Sequence, residues 1–404
     1  MSAPSIWTSP DGLARLRAVV AHAWERSPAQ RARLEAAGID PVAVSGPESL
    51  QPLPVMRKEA LGSLQAADHP FGGLLGEDIG SLARIFLSPG EIYDPQGGRP
   101  DYWRFRPALE AAGFGPGQVV ANCFNYHLTP AGFMFDDAAR ALGCVVIPAG
   151  VGQQEMQVKV LAETGASGYI GLPSYLLALL EKAGAMGREL SLRRALVTGE
   201  PLPPALRARL GEYGVDVYQA YGTADLGLVA YECPERQGMH LEPGALVELC
   251  DPEGVPVPAG EVGEIVVTLL ETTYPLLRFG TGDLSALVTE PCACGRPSLR
   301  IKGWMGRAND VVKVRGMFVY PRQIEEAMAG FAGQVARWQA VVERDEHHRD
   351  HLILCVEAKG GGPAPGAVVE AVRSATRLSC EVRPIAPGVI ADGAPRLEDR
   401  RKWD

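Results

Sequence analysis

The chain has 404 residues, a formal net charge of −9 and 46% hydrophobic residues, a globular composition with enough length for about two or three domain-sized cores. The acidic balance argues against a nucleic acid or an anionic membrane surface as the main partner. Apolar runs are short and broken, and residues 1–10 lack the basic start and apolar stretch of a secretory leader, so a soluble, cytoplasmic protein is expected. Most of the eight cysteines (123, 144, 233, 250, 292, 294, 355 and 380) lie alone in apolar segments and read as reduced core thiols. Cys233, Cys292 and Cys294 differ in sitting among polar, turn-forming residues.

Residues 118–124 read as a short strand, and 129–142 repeats apolar residues at helical spacing before stopping at Gly143. The alternation then continues with strand 144–148, helix 154–164, strand 168–172, helix 174–183 and strand 194–199. A helix over 204–213 follows, entered through prolines, whose missing N–H costs nothing there. This predicts an α/β fold with a mostly parallel sheet flanked by helices. Ligands in such a sheet bind beyond the carboxyl ends of the strands. Three polar loops fall at that edge: residues 122–127, Gly199-Glu200-Pro201 and Tyr221-Gly222-Thr223. From about 241 to 306 shorter alternating runs between Gly and Pro turns predict a small β-rich subdomain. From 307 onward a helix over 321–330 and a strand pair, 339–344 with 351–357, predict a separate small α+β domain. The charged stretch 343–351 reads as a solvated hairpin tip, rather than a metal site built from His347, His348 and His351.

Three motifs follow one another in order: Tyr-Gln-Ala-Tyr-Gly-Thr-Ala-Asp-Leu-Gly at 218–227, Arg-Phe-Gly-Thr-Gly-Asp-Leu at 278–284, and Gly-Arg-Ala-Asn-Asp-Val-Val-Lys-Val-Arg-Gly at 306–316. They set aromatic, hydroxyl, carboxylate and guanidinium groups among glycines, the inventory that holds an adenine, a ribose and a metal-bound phosphate. In this order they resemble the adenylate-forming enzymes, closest to the phenylacetate-CoA ligase branch, and the resemblance covers most of the chain, residues 16–28 included. It implies an N-terminal adenylation domain, 1–306, and a small mobile C-terminal lid, 307–404. The implied reaction uses ATP to turn an aromatic or similar small carboxylic acid into an acyl-adenylate plus pyrophosphate, then passes the acyl group to CoA. ATP, CoA and Mg²⁺ are the implied cofactors; the acidic composition leaves neither nucleic acid nor membrane as an expected partner, and a homodimer is compatible with the sequence, which does not fix the oligomeric state.

Carried over residue by residue, the resemblance has Gly199, Glu200 and Pro201 line the adenine, Tyr221 stack on it beside Gly222, and Thr223 contact the α-phosphate. Asp225 stands at the acidic, Mg²⁺-associated position, Asp283 binds the ribose hydroxyls, and Arg307 assists it. Phe124, Asn125, Tyr126 and His127 fall on the loop that shapes the acid pocket, with Tyr218 and Ala220 at its floor. Aromatic walls with an amide and an imidazole suit a flat acid with polar substituents, while Phe124 and Tyr126 read equally as core packing at a strand end. No Arg or Lys adjoins the loop, so a dicarboxylate is not indicated. Asn309 and Asp310 match the hinge about which the lid turns.

The chain departs from the family twice. Where relatives carry a Gly-rich loop with a Lys for the β- and γ-phosphates, residues 86–98 have no Lys, and Pro89, Glu91, Asp94 and Pro95 instead. Prolines remove N–H donors and carboxylates repel phosphate, so ATP is expected to be held weakly or by another route. At the C-terminus, Pro395-Arg396-Leu397-Glu398-Asp399-Arg400-Arg401-Lys402 puts Arg400 where relatives have a catalytic Lys, with Lys402 two positions beyond. A frayed tail is the other reading of this end. These departures leave room for a catalytically reduced homologue that binds a nucleotide or acyl ligand, and for a carrier-protein or amine acceptor in place of CoA.

Cys233, His240, Cys292 and Cys294 form a further set. Three thiolates and an imidazole complete a tetrahedral Zn²⁺ site with no open position, which is a structural site. Cys292-Ala293-Cys294-Gly295 has the form of a metal-wrapping turn, although it departs from the commoner Cys-x2-Cys spacing. The other reading is four separate core or surface residues.

Overall fold

The structure is a computed structural model that describes residues 10–88, 91–308, 311–315, 317–345 and 350–401. The chain forms two compact units, Met1–Trp304 and Met305–Asp404.

The first unit begins with helices α1 (Pro10–Arg26) and α2 (Pro28–Ala36). Ser27 caps α2 by accepting a hydrogen bond from the Gln30 N–H at 3.4 Å, and Pro28 opens its first turn. Strand β1 (Met56–Arg57), helix α3 (Lys58–Ala67), the hairpin β2 (Arg84–Ser88) with β3 (Ile92–Gln96), and the short helix α4 (Arg106–Ala111) follow. The alternating region then comprises β4 (Val119–Asn122), α5 (Ala131–Ala141), β5 (Val145–Pro148), α6 (Gln154–Thr164), β6 (Gly168–Gly171), α7 (Pro173–Ala185), β7 (Arg194–Val197), α8 (Pro204–Glu212) and β8 (Asp216–Thr223). The antiparallel region consists of β9 (Gly227–Glu232), β10 (Met239–Leu241), β11 (Ala245–Cys250), β12 (Val262–Leu269), β13 (Phe279–Val288) and β14 (Arg300–Ile301).

Strands β5, β4, β6, β7 and β8 lie side by side in that order and all run parallel. Parallel strands are buried on both faces, and the side chains divide accordingly. Val120, Ile170 and Leu196 pack toward α4 and α5, whereas Ala121, Tyr169 and Val197 pack toward α6, α7 and α8. The chain leaves β4 for β5 on one side and returns to β6 on the other, so the carboxyl ends of β4 and β6 flank the switch point where α/β sheets open a ligand crevice. β8 continues the sheet into the antiparallel strands β9, β10, β14, β13, β12 and β11, and β1 pairs in parallel with β13.

In the second unit β15 (Val312–Val314) pairs with β16 (Met317–Val319), followed by α9 (Pro321–Ala329), β17 (Val335–Arg344), β18 (Asp350–Ala358), α10 (Pro365–Thr376), β19 (Cys380–Ile385) and β20 (Leu397–Asp399). Its sheet has the order β19, β18, β17, β20, and Ile324 and Met328 of α9 share a core with Val368 and Val372 of α10 and Trp338 of β17. Strand β20 was not evident from the sequence. It runs parallel to β17, with Leu397 opposite Ala340, so this part of the C-terminal segment is a sheet edge rather than a frayed tail. His347 and His348 lie outside the described residues, and His351 is engaged with Asp345 at 2.9 Å. Among the described residues, no helix is long and apolar enough to cross a membrane.

Candidate functional site

Asn122, Ile170, Leu196 and Tyr218 lie in one row across the sheet, close to where the parallel strands end. Gly199 follows β7 with φ +82°, a left-handed conformation that glycine adopts freely, and Glu200 accepts a hydrogen bond from the Ser174 N–H at 3.4 Å at the start of α7. Residues 221–223, expected as a loop, instead extend β8 beyond that row, because β9 folds back and pairs with Ala220–Thr223. The turn between the two strands carries Asp225. Thr223 Oγ1 braces it by accepting from the Leu226 N–H at 3.2 Å. From the other side Arg104, buried and with φ +64°, donates to the Leu226 carbonyl and pairs with Glu242 at 3.0 Å. Gly227 completes the turn with φ +68°, and a Cβ there would lie 2.7 Å from the Trp103 carbonyl oxygen.

The first two motifs meet at one carboxylate. The Tyr221 hydroxyl donates to Asp283 Oδ2 at 2.9 Å, and the Trp304 indole N–H donates to Asp283 Oδ1 at 3.0 Å. Asp283 is carried on β13 just after Gly282, whose N–H is held by Glu264 at 3.1 Å. Arg278 of the same motif has a different task. It is 1% exposed, pairs with Glu248 at 3.0 Å and donates to the carbonyls of Gln51, Leu53 and Gly254, which anchors the N-terminal segment to the β-rich region. Arg307 of the third motif is an exposed residue of the second unit, and Asn309 and Asp310 lie outside the described residues.

Asp225 is buried, and its Oδ2 pairs with the Lys58 ammonium at 2.6 Å; its Oδ1 has no hydrogen-bond partner among the described residues. Lys58 and Trp304 escaped the sequence reading because each reaches its partner through long-range strand pairing, with no local motif. The expected phosphate loop is a hairpin in which Ser88 lies opposite Ile92. Asp94 departs from the expected loop carboxylate: it is 1% exposed and lies close to Asp225 and Lys58. Burial, reinforced by the nearby Asp225, raises its carboxyl well above the ordinary carboxylate range and favours the neutral form. Glu91 is exposed at the turn with φ +60°.

Phe124 stacks on Phe135, with ring centroids 4.9 Å apart, and shares a buried cluster with Tyr218 and Ala220. The Tyr218 hydroxyl donates to Asp216 at 2.8 Å, and the Arg236 guanidinium covers its ring at 4.7 Å. The Tyr126 hydroxyl donates to Asp136 at 3.1 Å and accepts from the Asn122 amide at 2.8 Å. Asn125 and His127 are the exposed members of the loop, joined by a 3.0 Å bond from the His127 N–H to Asn125 Oδ1. An open groove of about 480 Å³ lies elsewhere, lined by residues that include Arg84, Gln96, Arg99 and Asp137, and none of its lining residues belongs to the three motifs.

The four expected zinc ligands converge. The donor atoms of Cys233, His240, Cys292 and Cys294 all lie within 4.8 Å of one another, with Cys233 Sγ 3.6 Å from Cys292 Sγ and Cys294 Sγ 3.3 Å from His240 Nε2. Turns closed by Arg236 N–H to the Cys233 carbonyl and Gly295 N–H to the Cys292 carbonyl present the thiols inward. Ser298 Oγ sits 3.0 Å from His240 Nδ1, which orients the ring and leaves Nε2 toward the thiols. Burial would raise the Cys294 thiol, but the Arg296 backbone and side chain and the neighbouring thiols outweigh it and bring it to about 7. Three sulfurs and one imidazole at this mutual spacing fit tetrahedral Zn²⁺.

At the C-terminus Arg400 donates to Glu398 Oε2 through Nε at 2.9 Å and Nη2 at 2.7 Å, and its backbone N–H extends the β17–β20 ladder to the Val342 carbonyl. Lys402 lies outside the described residues.

The AMP-binding enzyme family matches residues 131–269. The phenylacetate-coenzyme A ligase of Thermus thermophilus is 35% identical over 348 residues, 82% of this chain and 77% of that protein. That of Escherichia coli K12 is 30% identical over 369 residues, covering 85% and 81%. Among solved structures, an open conformation of 2-hydroxyisobutyryl-CoA ligase in complex with 2-HIB-AMP and CoA matches with a TM-score of 0.84 at 26% identity, over 95% of this chain and 90% of that one. With this likeness extending over most of its length, the chain belongs to the phenylacetate-coenzyme A ligase family of AMP-binding enzymes.

Proposed function

We propose that this enzyme joins a carboxylic acid, aromatic or similarly small, to ATP as an acyl-adenylate with release of pyrophosphate, and then transfers the acyl group to the CoA thiol with release of AMP. The observation that carries this reading is the hydrogen bond from Tyr221 to Asp283, which brings the adenine motif and the ribose motif to one point beyond the parallel strands. The 2-hydroxyisobutyryl-CoA ligase neighbour, described with 2-HIB-AMP and CoA, supports the same two-step course.

In this reading Tyr221 and the 199–201 segment face the base, Asp283 accepts from the ribose hydroxyls, and Arg307 assists it. Thr223 lies beside the α-phosphate. Mg²⁺ supplies charge neutralisation of the phosphates, and Asp225 would hold it, since a hard carboxylate oxygen left unbonded at Oδ1 suits that ion. The exposed Asn125 and His127 are the polar contacts offered to the acid, over a floor built from Phe124, Tyr218 and Ala220. The cysteine and histidine cluster holds structural zinc, the second unit acts as the lid with its hinge at Asn309 and Asp310, and Arg400 or Lys402 brings positive charge to adenylation. The β2–β3 hairpin in place of a Gly-rich phosphate loop favours one second reading, a homologue that binds nucleotide or acyl ligand without turnover. Acid-dependent pyrophosphate release over a panel of aryl and short-chain acids, with and without CoA, separates the two: release from at least one acid supports the ligase, and nucleotide binding without release supports the binding protein.

A further inference from the structure

We infer that Lys58 is the cation that contacts the β- and γ-phosphates of ATP, and the departing pyrophosphate, in place of the lysine missing from the 86–98 segment. The inference rests on the adenylation reading and adds to it the residue that makes it electrostatically workable.

Three observations converge on this side chain. The first is its position. β1 runs parallel to β13 with Arg57 opposite Gly280, and the chain then turns into α3, so Lys58 follows directly alongside the segment that carries Asp283. Its ammonium lies 2.6 Å from Asp225 Oδ2, on the turn that follows Tyr221 and Thr223. Lys58 therefore contacts the first motif and directly follows the strand that pairs with the second.

The second is access. The Lys58 side chain is 31% exposed and that of Asp225 0%, so Lys58 is the member of the pair that solvent reaches. An ammonium carries three N–H donors and Asp225 engages one, which leaves capacity for phosphate oxygens. Arg57 next to it is committed elsewhere, to Glu264 and to the Pro252 carbonyl at 2.8 Å.

The third is the local charge. The hairpin that replaces the loop offers no lysine, and Asp94, which its sequence sets against a phosphate, turns inward and is buried. Burial beside Asp225 favours its neutral form, which reduces the repulsion expected from the sequence, and Lys58 is the cation paired directly with Asp225.

The competing explanation is that Lys58 only neutralises a buried carboxylate. Titration calorimetry on the full chain with ATP, AMP and inorganic pyrophosphate distinguishes them. Lys58→Met should weaken ATP and pyrophosphate by at least about tenfold and leave AMP within about twofold, with Lys58→Arg recovering part of the loss. Because Lys58→Met alone strands the Asp225 charge and can impair folding, the same comparison is made in an Asp225→Asn background, where that charge is gone. A further selective loss of ATP over AMP in the double variant supports phosphate contact. An equal effect on ATP and AMP, or no additional effect in that background, overturns it. If the wild-type chain binds neither ATP nor AMP, the adenylation reading itself fails and the inference falls with it.

Discussion

Asp283→Ala is the substitution with the most direct bearing on the proposed nucleotide site. The carboxylate is 8% exposed, so water screens it little, and it already receives Tyr221 at 2.9 Å and Trp304 at 3.0 Å. A ribose hydroxyl donating to a charged acceptor contributes about 1.5–3 kcal/mol, which converts to roughly 10- to 150-fold in ATP affinity at about 1.4 kcal/mol per factor of ten. The loss should appear as a higher KM for ATP in acid-dependent pyrophosphate release, with the KM for the acid much less affected. Alanine also leaves the Tyr221 hydroxyl and the Trp304 N–H without their carboxylate, so thermal stability should fall as well. Tyr221→Phe separates the two effects: it removes the hydroxyl donor, keeps the ring and the carboxylate, and should disturb ATP use less than Asp283→Ala. A folded Asp283→Ala protein with unchanged KM for ATP would refute the ribose assignment.

If the cysteine and histidine cluster holds zinc, elemental analysis should find about one zinc per chain, and Cys292→Ser should lower both metal content and melting temperature. Full stability in a metal-free preparation would remove zinc from the structure. The raised Asp94 carboxyl means that the folded state binds its proton more tightly than the unfolded chain, whose value is near 3.8. Its favourable contribution is complete below that value and is lost as pH rises through the folded one. Asp94→Asn should therefore melt higher than wild type at neutral and alkaline pH, with the gap closing on acidification; a gap that widens as pH falls would contradict the burial. Deleting the residues after Pro395 removes β20 and Leu397, which is 5% exposed, and should destabilise the second unit by at least about 2 kcal/mol in urea unfolding. An unchanged urea midpoint would show that the strand contributes nothing.

The parallel sheet was legible because its helices and strands carry distinct apolar periods, 3.6 against near-continuous short runs, and its turns are marked by Gly and Pro. The helix at 154–164 matches α6, and the 118–124 run contains β4. The cysteine set was legible from ligand chemistry alone, though two of its members come from a turn far along the chain. What escaped the sequence depends on tertiary pairing. Lys58 and Asp225 are 167 positions apart and meet only because β1 docks on β13. Asp94 looked like a loop carboxylate because its inward orientation is fixed by the β2–β3 register, with Phe86 opposite. Arg278 sits within a ligand motif and yet holds the N-terminal segment, a distinction that depends on where its guanidinium points. β20 is only three residues long with two acids among them, too short and too polar for a strand signal.

The most direct test of the enzyme's activity is acid-dependent release of pyrophosphate from ATP by the purified full chain, followed by addition of CoA and mass analysis of the product. Release that requires one acid of the panel, followed by a CoA thioester of that acid with AMP as the second product, is the expected result. Tight ATP binding with no pyrophosphate release from any acid would contradict adenylation and leave a nucleotide-binding protein built on a ligase fold.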